Sequence, residues 1–501
     1  MSLAAICAWS FLRSASIALI AALVSKRLAA CVGWVESSRS TGLQGAKSEV
    51  FGFRASSYNI AWVLLLAPFL VPHLLVGYAY SALALKLIYY PSWNEAAYGL
   101  LLWLKFFPAA VVIQVFAPPS PVSAEAIHLQ RLLRRPDESW LKRASRELGS
   151  WIAGPGRAAI GAFVVVFLLA FQEFEIASLM GITGGDTHSP VSWTVWLFDA
   201  HAGGVPLAES LRYVVTPLVF ELCVVLPALA VLPLWMSPGL PTRREVGGGR
   251  RFFPTEWGLL LLAALLLAGV PSVVVVRGAL RGLESLPNMR PALREIVIGA
   301  ATAVAAAGLA WMIQRSLFKQ NPRRSGRAFA VAALSLPGLL GPLVLSLLIL
   351  GLFQLPGFRA LSQSLVPVIL ALVLFVLPRA AVVFAVTGVS RRTQAAHTAW
   401  MLARSPSADR RRSAARLIDD LEIKGIFWST VLVWYWAYWE MTPASLLAPP
   451  GAMSFSVRLY NFMHYGQSGA LSTMLLVAIA LPIATIVSLA LLRPLIVRWA
   501  L

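Results

Sequence analysis

One length recurs along this chain and constrains it more than any other feature. Apolar runs reach the ~20 residues that a helix needs to cross the hydrocarbon core of a bilayer. They do so repeatedly, from one end to the other. Eleven are read: Leu3–Val24, Ile60–Leu85, Ala96–Phe116, Ala158–Leu179, Tyr213–Trp235, Trp257–Val276, Val297–Ile313, Ala328–Phe353, Leu365–Ala385, Gly425–Leu447 and Ala470–Leu492. Backbone inside a bilayer must satisfy its own polar groups, so such runs become helices. Only 13% of the residues are charged, against about 25% in a soluble domain. The expected fold is an all-α polytopic membrane protein with about eleven transmembrane helices.

The net charge of +20 does not point to nucleic acid, because the cations are segregated. Most of the 42 Lys and Arg residues fall in alternate loops: Ser25–Asn59, Ala117–Arg157, Met236–Glu256, Gln314–Arg327 and Val386–Lys424. The loop Met180–Arg212 carries Asp186, Asp199 and Glu209 and no Lys or Arg before Arg212. Positive loops stay in the cytoplasm. This places the C-terminus inside and the N-terminus outside, with an odd number of spans. The first apolar run passes into a basic loop without a small-residue cleavage site, so no cleaved leader is expected.

Three features recur in the same order along the two parts of the chain. "LLAFQEFEIASLM" (Leu168–Met180) is answered by "WYWAYWEMTPASLL" (Trp434–Leu447), with Glu440 in the place of Glu173. "VPHLLVG" (Val71–Gly77) is answered by "LPGLLGP" (Leu336–Pro342), pairing Pro72 with Pro337. "SWTVWLFDAHAGG" (Ser192–Gly204) is answered by "SFSVRLYNFMHYGQ" (Ser454–Gln467). A repeat this long is not a solenoid. It reads as a duplicated membrane half, residues 1–240 and 257–501, joined by a Gly- and Arg-rich cytoplasmic linker, 241–256. Each Glu-bearing span follows a basic loop, so the halves run parallel, in five and six spans, with a pathway expected at their interface.

These phrases carry a resemblance. The chain resembles the fused-half permease subunits of ABC importers of the ferric-iron and thiamine type, which are inner-membrane components of binding-protein-dependent transport. The Glu phrase late in a span of each half, the early-span prolines, and "APPGAMSFSVRLYNFMHYG" (Ala448–Gly466) match that family's pattern. The resemblance implies two transmembrane halves around one pathway for a small solute. It also implies two copies of an ABC ATPase as partners, a periplasmic or extracellular solute-binding protein, and ATP with Mg in the ATPase rather than a cofactor in this chain. Each half should present a coupling segment with an EAA-type motif. The literal Glu95-Ala96-Ala97 opens a span on the outer side. The basic loops instead offer Glu125-Ala126 in "SAEAIHLQRLL" and Gln394-Ala395-Ala396 in "TQAAHTAWMLA", where Arg131 and Trp400 replace the expected glycine.

Carboxylates inside a membrane are costly and default to a functional role. Glu173 and Glu440 are therefore candidate pathway or gating residues, with helix-to-helix bonding as the other reading, and Pro72 and Pro337 are candidate helix breaks. Glu175, without an acidic counterpart, is expected to face the outer vestibule. Glu221 is expected to bond across helices. Arg379 and Lys105 line the pathway or snorkel, with Lys105 read as the blander of the two. Three cysteines without metal spacing predict neither a disulfide nor a metal site. No nucleophile, zinc or phosphate-loop motif occurs in the sequence, so no enzyme activity is expected and ATP hydrolysis belongs to another chain. Two alternatives remain open at this stage: an ion-gradient-driven secondary transporter, and a degenerate, non-transporting membrane scaffold.

Overall fold

A computed structural model describes residues 2–40, 48–117, 129, 139–154, 156–181, 191–236, 253–282, 284, 290–318, 333–390, 398, 401–405, 407–464 and 468–500. Among these there are helices and connections, and no strand. Among the described residues seven helices are long and apolar enough to cross a membrane, or up to ten crossings if each of three sharply bent helix pairs counts as one. The expected eleventh, Gly425–Leu447, is not among them. It falls on a helix that begins in the charged stretch from Ala408 and breaks at Glu440.

The chain forms two compact units, Met1–Asp199 with Tyr213–Pro271, and Ala200–Arg212 with Ser272–Leu501. The division thus falls within a helical stretch at Pro271, not at the linker 241–256. The reason is visible in the first unit: the helix starting at Pro254 packs along the helix ending at Leu70.

The first unit contains α1 (Leu3–Ser40), α2 (Ser48–Leu70), α3 (His73–Lys86), α4 (Pro91–Phe116), α5 (Trp140–Ala153), α6 (Gly156–Phe171), α7 (Glu175–Leu179), most of α8 (Trp193–Ala202), most of α9 (Leu207–Met236) and α10 (Pro254–Ala264). Helices α1, α4 and α6 pack pairwise, and α3 packs on α7. Helix α1 shows the membrane pattern directly. Its buried face carries Ser10, Ser14, Ala18, Ala21 and Ser25, while Leu12, Leu19 and Leu23 are exposed. Small polar residues inside and large apolar ones outside suit a helix whose solvent is lipid. Helix α10 passes into a π-turn, Leu265–Gly269, which leaves a carbonyl without its usual partner. The Tyr80 hydroxyl supplies one, donating to Leu266 O at 2.8 Å.

The second unit contains most of α11 (Val270–Arg281), then α12 (Arg290–Phe318), α13 (Ala333–Leu339), α14 (Pro342–Gln354), α15 (Val366–Ser390), α16 (Ala408–Trp439), α17 (Thr442–Leu447), α18 (Phe455–His464) and α19 (Ser468–Ala500). Here α12, α15 and α16 pack pairwise, and α14 packs on α17. Element for element this is the order and pairing of α1, α4, α6, α3 and α7 in the first unit.

Candidate functional site

Each unit interrupts two of its apolar helices, and the polar side chains gather at the interruptions. In the first unit the α2–α3 pair bends by 76°. Pro72 stands at the N-cap of α3, where a residue with no N–H costs nothing, and it ends α2 because the residue before a proline resists the α conformation. The carbonyls left open by the break meet Lys105. Its Nζ donates to Pro68 O at 2.9 Å and Phe69 O at 3.1 Å, and also to Val71 O. Lys105 is fully buried in α4. It neither snorkels nor stands idle, contrary to the reading of its sequence position.

The second interruption holds Glu173. Read as a continuous helix, the sequence put this residue well along its span. The helix instead ends at Phe171 and a short one begins at Glu175. The buried Glu173 carboxylate accepts from Ile176 N at 2.5 Å and Ala177 N at 3.1 Å, which are the otherwise unpaired amides of the first turn of α7. The Tyr98 hydroxyl donates to the same carboxylate at 2.8 Å. Around it the Arg13 guanidinium lies 4.8 Å from the Tyr98 ring centre and pairs with Glu95 at 2.9 Å. The literal Glu-Ala-Ala segment therefore serves an internal ion pair. Glu175 is buried rather than set in a vestibule, close enough to Lys105 for the two charges to interact. Glu221 on α9 bonds to the break after α6 rather than to a helix, accepting from Gln172 Nε2 at 2.8 Å.

In the second unit the α13–α14 pair bends by 110°. The break falls at Gly341, whose φ of 83° is left-handed and suits glycine alone, with Pro342 opening α14. Pro337 lies one turn upstream, inside α13. The counterpart of Pro72 in place is thus the Gly341-Pro342 step, not Pro337. The phrase similarity had slipped by about a helical turn.

Glu440 follows the last residue of α16, as Glu173 follows the end of α6. It accepts from Thr442 N at 3.3 Å, and the charge of Arg379 on α15 reaches it. Arg379 donates to Phe375 O at 2.9 Å and lies 3.7 Å from the Phe375 ring centre. Glu440 also borders a cavity of about 20 Å³, lined among others by Thr302, Tyr438, Ser454 and Ser456. A cavity of that size admits about one water, and these side chains offer it polar partners. Glu173 thus has three protein donors, whereas Glu440 accepts from Thr442 N and borders a cavity about the size of one water.

After each Glu-bearing break a helix begins with a hydroxyl pair. Ser192 and Thr194 stand 2.8 Å apart, Ser454 and Ser456 2.9 Å apart. The aromatic residue between them, Trp193 or Phe455, is buried in both units. Arg458 on α18 pairs with Glu295 on α12, its Nη2 at 2.5 Å from the carboxylate.

No family model, no curated protein and no solved structure matches this chain. The geometry must therefore speak for itself. Glu125, Ala126, Gln394, Ala395 and Ala396 lie outside the described residues. Among the described residues no three His, Cys, Asp or Glu side chains come together as a metal site would require. The residues that sequence reasoning undervalued are Lys105 and Tyr98. Their signal was spacing: both lie on one face of α4, seven positions apart, which is two helical turns.

Proposed function

We propose that the chain is the transmembrane permease subunit of an ATP-driven ABC importer. It would pass a small solute such as ferric iron or thiamine, delivered by a binding protein, with ATP hydrolysed by separate ATPase subunits. The N-terminus would lie outside and the C-terminus in the cytoplasm. One observation carries the reading. In each compact unit a helix stops at an acidic residue, Glu173 or Glu440, and is followed by a short helix and by one that begins with a hydroxyl pair, within the same pairing of helices. Such doubling supports two parallel halves of one permease.

The basic loops that contain Glu125 and Gln394 would hold the ATPase contacts. Co-purification with the ATPase subunit and ATP hydrolysis stimulated by a loaded binding protein are the expected results. Failure to capture any ATPase, with transport intact, overturns the proposal.

The cavity beside Glu440 favours a second reading, a gradient-driven carrier in which this carboxylate takes up a proton or small cation. Uptake into liposomes by the chain alone, driven by an ion gradient without ATP, would establish it. Absence of such uptake returns the weight to the first.

A further inference from the structure

Helix α5 is neither a span nor part of the packed interior. Its apolar residues Trp140, Leu141, Leu148 and Trp151 form one stripe at helical spacing, and they are 74%, 61%, 56% and 43% exposed. Lys142, Arg143 and Arg146 occupy the opposite side. A stripe of this width normally faces a core, and among the described residues nothing covers it. Four charged residues in this one short helix, the three cations and Glu147, forbid it from crossing hydrocarbon.

Its attachment fixes its direction. Helix α5 meets α6 at 76°. Gly154 N donates to Trp151 O at 3.2 Å, and Gly156 packs so tightly on the Trp151 ring that a Cβ there would collide with it. Helix α6 is an apolar run with Arg157 as its one charged residue. If α6 crosses the bilayer, α5 lies close to the membrane plane at the mouth of that span.

We propose that α5 is an interfacial helix, its Trp- and Leu-bearing face sunk in the acyl boundary and its basic face on anionic lipid headgroups. The occupant of the exposed stripe is then lipid. Three observations favour lipid over a protein partner. The helix is tethered to a span by a short, tightly packed turn. Tryptophans, which favour the membrane–water boundary, stand near both of its ends. Its cations complement the negative surface of a leaflet, as in other surface-lying amphipathic helices. The inference needs only that α6 spans the membrane. It is independent of whether the chain transports by ATP.

The test uses the full chain in vesicles, with a nitroxide at Leu148→Cys or at Gly149→Cys. Cys223, the one exposed cysteine among Cys7, Cys31 and Cys223, is replaced by Ser. Both labelled positions are exposed, and a side chain at Gly149 meets nothing within 4 Å. In vesicles containing phosphatidylglycerol, the Leu148 label should sit about 5–10 Å into the headgroup and acyl boundary, relaxed by oxygen and shielded from an aqueous nickel chelate. The Gly149 label should show the reverse. Omitting phosphatidylglycerol, or combining Lys142→Gln, Arg143→Gln and Arg146→Gln, should raise nickel access at Leu148.

Equal nickel access at both positions would place the helix in water and overturn the proposal. Shielding of Leu148 from oxygen and nickel alike would mean that protein covers the stripe, and would overturn it too. Insertion indifferent both to phosphatidylglycerol and to the triple substitution would overturn the headgroup assignment.

Discussion

Lys105 on α4 closes the carbonyl end of the break after Leu70, donating to Pro68 O and Phe69 O at 2.9 and 3.1 Å and to Val71 O. The pair it forms with that break explains how an apolar span can stop and restart at Pro72. Carbonyls opened inside a membrane need a donor, and a buried ammonium supplies several at once. Removing it strands them. Lys105→Met should destabilise the chain by about 2–4 kcal/mol, the worth of charged hydrogen bonds lost with their acceptors left buried. Lys86→Met, at an exposed position, should change little. Reversible unfolding in mixed micelles measures both. Equal stability of the two variants would mean that the break holds itself.

Tyr98 and Glu173 tie α4 to the cap of α7. A double-mutant cycle of Tyr98→Phe and Glu173→Gln should give a coupling energy of about 1–3 kcal/mol, within the range for contacting polar pairs. Additive losses would show that the hydroxyl and carboxylate act separately.

The two acids should also separate by role. Glu173 has three protein donors, so Glu173→Ala leaves two amides and a hydroxyl unsatisfied, at about 1–3 kcal/mol for each group fully buried. Glu440 accepts from Thr442 N at 3.3 Å and faces a cavity. Glu440→Gln should therefore preserve assembly and, on the proposed transport function, change uptake. Thermal stability and solute uptake, measured on the same preparations, check the ranking. A Glu440→Gln chain that transports normally would remove the carboxylate from any pathway role.

Much of this was legible in the letters. Seven to ten of the eleven expected runs do appear as apolar helices long enough to cross a membrane, because a bilayer leaves the backbone few choices. That Glu173 and Glu440 share a phrase was legible; that a helix stops just before each acid was not, because apolar length alone reads both runs as continuous spans. Nor was the break geometry. Pro337 and Pro72 share a phrase, yet the second unit breaks at Gly341, because a left-handed φ there ends a helix more sharply than a proline at its interior. The partners of Lys105 could not be read at all. They are main-chain carbonyls on another helix, and sequence does not announce which carbonyls a break will open. The assignment of α10 to the first unit was equally hidden, since it depends on α10 packing along α2.

Close backbone approach gives the last prediction. Gly77 on α3 faces α7, and a Cβ there would lie 2.8 Å from Leu179 Cδ1, 2.9 Å from Leu179 Cβ and 3.1 Å from Glu175 O. The leucine tip can swing away, but its Cβ and the Glu175 carbonyl belong to the capped helix and cannot yield without moving it. Gly77→Ala should cost about 1–3 kcal/mol, as overpacking does, and should loosen the Glu173 cap along with α7. Gly99→Ala supplies the contrast. Gly99 lies within α4 and a Cβ there meets nothing within 4 Å, so the change should be neutral or stabilising by up to about 1 kcal/mol. Unfolding free energies of the two variants in the same micelles decide the matter. A neutral Gly77→Ala would show that α3 and α7 can separate at no cost, and that their packing is not what holds the acidic break in place.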